Sequence, residues 1–236
     1  MHCDSIMFLL SLLKTSRMNL VTTGDGSHTL FIPGLNEHYH STFGAITESV
    51  HVFIRAGLEL LAERQEISVL EVGFGTGLNA LLTCMFAVNH RIKVIYHALE
   101  KFPVDAGLAK KLNYASLLSP ALDAKNLFAD IHGASWNTIS ILHSCFHLHK
   151  IHDDLLTFQP GFHYDLIFFD AFAPDKQPEM WTQDIFSRLY KKLNPDGIIT
   201  TYCVKGDVKR KLKSAGFRIE KLPGPPGKRE ILRGMK

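Results

Sequence analysis

Short apolar runs alternate along the chain with longer stretches whose apolar residues recur at helical spacing. Tyr164-Asp-Leu-Ile-Phe-Phe-Asp170 is apolar on both faces and reads as a central strand. Ile67 to Val72, Lys93 to Leu99 and Ile198 to Cys203 read as further strands of one sheet. Between them the spacing predicts helices over Leu78 to Ala87, Met180 to Leu193 and Val204 to Ala215, with helical pieces from Pro103 to His132 broken at Ser119-Pro120. Ile46 to Glu63 also reads as a helix, with Val50, Phe53, Ile54, Leu58 and Leu61 on one face. Ile139 to Ile151 alternates and reads as one strand, and Asn194-Pro-Asp-Gly197 reads as a turn. Near the N-terminus, Leu20 to Thr23 and Thr29 to Ile32 flank Gly24-Asp-Gly-Ser, the signal of a small β-hairpin; Asn36 to Ser41 reads as a polar, aromatic loop. Phe217 to Leu222 and Arg229 to Arg233 close the chain as a hairpin around Pro223 to Gly227. Strands alternating with helices predict an α/β fold, a Rossmann-like doubly wound parallel sheet.

At 236 residues, with 46% hydrophobic residues, the chain has the size of one such domain. We expect that domain to occupy residues 18–236. Residues 1–17 contain the apolar run Ile6 to Leu13, which is shorter than the ~20 residues a membrane span takes and lacks the flanks of a signal peptide. Met18 looks like a second start, so residues 1–17 are a candidate start-site extension. Cys3, Cys84, Cys145 and Cys203 are scattered without a C-x-x-C, which fits a reducing cytoplasm. His143, His147, His149 and His152 alternate with apolar residues and read as the polar face of a strand, with no metal expected. Positive charge is concentrated late in the chain. Residues 191–236 hold 13 Lys and Arg against 4 Asp and Glu, leaving 13 against 19 elsewhere. A basic region on an acidic body suggests a polyanionic partner.

The candidate chemistry begins where the first predicted parallel strand ends. Glu71-Val-Gly73-Phe74-Gly75-Thr76-Gly77 leads directly into the helix containing Asn79. The glycines match neither G-x-G-x-x-G nor a phosphate loop ending in G-K-[ST]. E-x-G-x-G-x-G is instead the pattern by which class I methyltransferases bind S-adenosylmethionine (SAM). Glu100 ends the next strand about 25 residues later, where a ribose-binding carboxylate belongs. Asp154 and Asp170 also follow predicted strands. Four candidate positions therefore converge on the carboxyl edge of one sheet. Asp170, directly before Ala-Phe-Ala-Pro174, is the expected catalytic residue: a carboxylate there can orient an amine nucleophile and take its proton.

Gly73 to Asn79, Glu100-Lys101-Phe-Pro103, Asp170-x-Phe172-Ala-Pro174, Pro178-x-Met-Trp181-Thr-Gln183 and Gly227-Lys228-Arg229-Glu230 resemble the tRNA 5-methylaminomethyl-2-thiouridine methyltransferase family, the MnmC/MnmD type. The resemblance runs from about Tyr39 to the C-terminus. It implies a class I SAM-dependent methyltransferase fold with a closing antiparallel strand, SAM as cofactor and tRNA as substrate. By that resemblance Glu71, the residues from Gly73 to Gly77, Asn79, Glu100, Lys101 and Asp154 bind the cofactor. Tyr39, Phe172, Pro174, Trp181, Lys228 and Arg229 are then expected on the substrate side. Some members carry a fused flavin oxidase; with no second glycine fingerprint before Lys236, neither FAD nor that activity is expected here. Glu48 matches only loosely and receives no role.

Two other readings share parts of this pattern. A spermidine-synthase-like aminopropyl transferase has the same fold, but a polyamine pocket wants several acids, and only Asp175 and Glu179 lie near Asp170 in sequence. A non-catalytic RNA-binding module would not need an intact glycine loop together with Glu100 and Asp170.

Overall fold

The computed structural model of the protein describes residues 18–118 and 123–236. The candidate start-site extension and the expected break at Ser119-Pro120 lie outside the described residues. Strands β1 (Asn19–Thr22), β2 (His28–Ile32) and β3 (Glu37–His38) form a small antiparallel sheet. The expected hairpin is present. Part of the expected loop after it, Glu37–His38, pairs with β2 as a third strand.

The main sheet has eight strands: β4 (Glu66–Val72), β5 (Lys93–Glu100), β6 (Ile139–His143), β7 (Phe146–His152), β8 (Tyr164–Phe169), β9 (Leu193–Thr201), β10 (Arg218–Pro223) and β11 (Glu230–Met235). Their order is β10-β11-β9-β8-β4-β5-β7-β6. The five central strands run parallel, β11 is antiparallel to both β9 and β10, and β6 is antiparallel to β7. Every residue of β8 is buried. Leu166 and Phe168 enter the core on one face, Ile167 and Phe169 the core on the other. Burying a side chain such as Phe168 contributes about 2–3 kcal/mol. The first face is covered by α1 (Ala45–Ser49) with the turns that follow it, α2 (Leu78–His90) and α5 (Ala124–Gly133), beside the short α3 (Ala106–Ala109) and α4 (Tyr114–Leu117). The second face is covered by α6 (Gln183–Lys192) and α7 (Gly206–Ala215). Among the described residues no helix is long and apolar enough to cross a membrane.

Four local expectations are corrected. The helix expected from Ile46 to Glu63 is α1, then a π-helical turn Val50–Arg55, then a 3-10 turn Leu58–Leu61. Gly57 breaks it: a Cβ there would lie 2.8 Å from the Phe53 carbonyl oxygen and 3.0 Å from the Thr200 side chain, so the backbone lies flat on the sheet. The strand expected from Ile139 to Ile151 is the hairpin β6–β7, turning at Ser144-Cys145. An even-numbered turn preserves the period of two, so the alternation reads straight through it. In the segment expected as one helix from Met180, Pro178–Trp181 forms a 3-10 turn, and α6 begins only after Thr182, whose hydroxyl accepts from the Ile185 N–H. Asn194 to Gly197 is not a separate turn. Strand β9 runs through it with a register shift against β8, and Asp196 takes a left-handed φ of 60°.

The expected polar face holds only for His147 and His149: His143 lies on β6, and His152 falls on the side of Lys150, both beside Trp136. Among the described residues no group of His, Cys, Asp and Glu is arranged to hold a metal ion. Lys150 points away from His147 and His149 and is buried, donating to the His132 carbonyl at 2.9 Å.

Candidate active site

The glycine turn borders a cavity of about 420 Å³ at the carboxyl ends of β4, β5 and β8. The turn is closely bound to the sheet. The Gly73 and Phe74 N–H groups both donate to the Leu99 carbonyl. Gly73 has φ 94°, and a Cβ on it would sit 2.7 Å from the Asp170 carbonyl oxygen. Gly75 has φ 50°, and its missing Cβ keeps the backbone open beside the Tyr39 ring. Only glycine satisfies both demands.

Glu100 locks the turn to the next strand. One carboxylate oxygen accepts from the Gly75 N–H at 2.9 Å and the other from the Phe102 N–H at 2.8 Å. Burial pushes its pKa up, and these backbone donors pull the other way. A carboxylate offers about four acceptor sites, so two remain for a ligand in the cavity. Asp154 is held by the Leu156 N–H at 3.0 Å and pairs with the Lys101 ammonium at 2.6 Å. Both side chains line the cavity.

Asp170 stands at the end of β8, beside Gly73. Its backbone N–H continues the ladder to the Val72 carbonyl, and its carboxylate accepts from the Asn79 amide at 2.9 Å. Burial raises its pKa to about 7, with the Glu48 carboxylate pushing the same way. Around it stand Tyr39 and Phe172, with ring centroids 5.0 Å apart, and Tyr202, whose hydroxyl donates to the Ala171 carbonyl at 2.8 Å. Lys228 reaches in from the turn before β11 and lies over the Tyr202 ring, 4.2 Å from its centroid.

Gly73, Phe74, Gly75, Thr76, Asn79, Glu100, Lys101, Asp154, Asp170, Tyr39, Phe172 and Lys228 therefore share one cavity. Five other candidates stand elsewhere. Glu71 is wholly buried outside the cavity lining, and burial pushes its pKa well up. Gly77 opens α2 behind the turn, packed against Phe74 and His132. Trp181 lies in the core against Phe169 and acts from beneath, its indole N–H donating to the Phe172 carbonyl at 2.8 Å. Pro174 and Arg229 line a neighbouring hollow beside Val204 and Lys205.

Sequence reasoning left Glu48 and Tyr202 without a role and read His40 only as part of a polar, aromatic loop able to face a ligand; all three line the cavity. Glu48 carried no local signal: its helix ends at Ser49, and Val52, one turn on, already lies in the π-helical turn. His40 is buried beside Thr29 and Thr76, and burial lowers its pKa to about 4, so it is neutral.

Residues 145–236 match a family model described as S-adenosyl-L-methionine-dependent methyltransferase. The "tRNA 5-methylaminomethyl-2-thiouridine biosynthesis bifunctional protein MnmC" of Hydrogenovibrio crunogenus is 27% identical over 236 residues, covering 94% of this chain and 34% of that protein. The protein of the same name from Pseudomonas fluorescens is 32% identical over 211 residues, covering 83% of this chain and 32% of that protein. The chain thus spans about a third of the length of the curated relatives it matches. The crystal structure of MnmC2 from Aquifex aeolicus superposes with a TM-score of 0.74 at 25% identity, over 98% of this chain and 76% of that one. Spermidine synthase from Thermotoga maritima shares the fold, with a TM-score of 0.54 at 13% identity and 93% and 68% of the two chains covered.

Proposed function

We propose that the chain is an S-adenosyl-L-methionine-dependent methyltransferase like its MnmC relatives, and that it transfers one methyl group from SAM to the primary amine of an aminomethyl group on the wobble uridine of tRNA. The observation that carries this reading is that a backbone cradle with Glu100 and a buried Asp170 among aromatic side chains line one cavity.

The residues present fit the cofactor. The turn from Gly73 to Gly75 offers backbone without Cβ atoms, and the free acceptor sites of Glu100 suit two ribose hydroxyls. The paired Lys101 and Asp154 would border the base. Bound SAM supplies an electrophilic methyl group on a sulfonium. The protein's own task is to present a neutral amine along the line of attack. An aliphatic ammonium has a pKa near that of lysine, ~10, so it arrives protonated. Asp170, with its pKa raised to about 7, is poised to take that proton when ionised and release it to solvent afterwards. Tyr39 and Phe172 exclude water from the amine, which disfavours its charged form. Nitrogen gains one carbon bond, the carbon–sulfur bond breaks, and one proton leaves through Asp170.

Aminopropyl transfer to a diamine gains Glu37, Glu48 and Glu179 as further acids in the cavity, so the choice between the two acceptors falls to experiment. The deciding experiment incubates the purified protein and SAM with tRNA carrying 5-aminomethyl-2-thiouridine, then analyses nucleosides by mass. A gain of one methyl on that nucleoside is expected. Turnover with putrescine and decarboxylated SAM, and none with tRNA, would reverse the assignment.

A further inference from the structure

Glu48 is an expensive residue to keep where it stands. Its side chain is only 9% exposed, on the short helix α1. One oxygen accepts from the Ser41 N–H at 2.7 Å. The other, Oε1, borders the cavity and has no aligned hydrogen bond. Its partner is a cation alone: Lys228 Nζ lies 2.9 Å away without hydrogen-bond alignment. A carboxylate this buried needs compensation, and leaving it uncompensated is costly. Lys228 comes from the far end of the chain on a flexible four-carbon stem, beside the turn at Gly227, and rests on the Tyr202 ring. The cavity thus holds a primary ammonium on Glu48, supplied by the protein itself, within the field of Asp170.

Resting on the reading above, we propose that Glu48 is the residue by which the site recognises its acceptor as a cation: Oε1 receives the ammonium of the aminomethyl group in the place Lys228 Nζ occupies without substrate. A lysine ammonium and an aminomethyl ammonium are the same group on different stems, so a site that holds one suits the other. Asp170 is then left free to take the proton. An unmodified uridine brings no cation, cannot displace Lys228 and leaves Glu48 paired as before. Recognition thereby precedes chemistry, and the two acids have separate tasks.

The test measures equilibrium binding of two anticodon stem-loop RNAs, one carrying 5-aminomethyl-2-thiouridine and one carrying 2-thiouridine, in the presence of S-adenosylhomocysteine so that nothing reacts. The wild-type protein should prefer the amine-bearing RNA by about 10–100-fold, the usual size of a charge-assisted hydrogen bond. Glu48→Gln retains an amide oxygen for the Ser41 N–H, so the fold should persist, with an unchanged melting temperature and S-adenosylhomocysteine affinity. The preference should fall to within about threefold, with binding of the amine-free RNA unchanged. Lys228→Met should keep or increase the preference, because the competing ammonium is gone. Retained preference in Glu48→Gln would overturn the assignment. So would equal loss of preference in Lys228→Met, which would make the pair a structural tie. A wild-type protein that binds S-adenosylhomocysteine but neither RNA would overturn the tRNA reading and this inference with it.

Discussion

The two sides of the cavity are built in different ways. The cofactor side is backbone: a turn of glycines in which the Gly73 N–H is tied to the neighbouring strand, the Gly75 N–H to Glu100 and the Gly77 N–H to the Phe74 carbonyl, within about 30 residues of sequence. The acceptor side is side chains: Tyr39 and Glu48 from the N-terminal part, Asp170 and Phe172 from the middle, Tyr202 and Lys228 from the C-terminal part. A backbone cradle must have its glycines in order along the chain, so it leaves a motif. A constellation of side chains needs only the fold to bring them together. The first side is suited to a ligand shared by many enzymes, the second to one acceptor.

The sharpest way to break this division is Asp170→Asn. It keeps the hydrogen-bonding shape toward Asn79 and removes the proton acceptor. Methyl transfer in single-turnover assays should fall by about 10²–10⁴-fold, with S-adenosylhomocysteine affinity changed only a few-fold. For the wild type, kcat/KM should rise through pH about 7 as Asp170 ionises, and the variant should lose that limb. A rate within a few-fold of the parent would move the chemistry to another residue.

Gly75→Val attacks the other side. A branched residue at φ 50° with its Cβ against Tyr39 should lower cofactor affinity about 10²-fold by calorimetry, through backbone strain and lost approach. Intact affinity would show that the turn does not meet the ligand there.

Asp170 also marks the acceptor side as destabilising. Its folded pKa, about 7, lies above the ordinary value of 3.8. Stability from this group is fully present below pH about 4 and is lost as pH rises through 7. Asp170→Asn should therefore match the parent near pH 4 and be more stable at pH 8, by about 1–3 kcal/mol in denaturant melts. Equal stability at pH 8 would mean that the carboxylate is better solvated than its surroundings indicate. Glu100→Ala, at the cofactor side, should weaken cofactor binding by about 1–3 kcal/mol, part of it through loosening of Gly75. Unchanged affinity would remove Glu100 from ribose recognition.

Residues whose role is set by their neighbours in sequence were legible in it. Gly73, Gly75, Glu100 and Asp170 follow strands that announce themselves by apolar runs, and all four meet at one sheet edge. The closing strand β11 and its turn were equally plain from Pro223 to Gly227. Glu48 was not, because its helix gives way to a π turn and no local pattern says that Lys228 will face it. Trp181 and Glu71 read as site residues because they adjoin site motifs, yet one packs beneath the wall and the other lies behind the loop. Proximity in sequence does not decide which side of a wall a side chain takes. The hairpin β6–β7 was hidden for a simpler reason, an alternation that its turn does not interrupt.

The pair between Glu48 and Lys228 joins residues 180 positions apart, and the tie from Arg233 to the Ala56 carbonyl spans nearly the same distance. Contacts that distant are the last a chain can make, because both segments must exist before either is held. The glycine turn and β5, by contrast, lie together in the first half of the chain. Its acceptor side waits for Lys228. The side of the cavity that holds Glu48 is therefore completed only when the segment carrying Lys228 has packed against it.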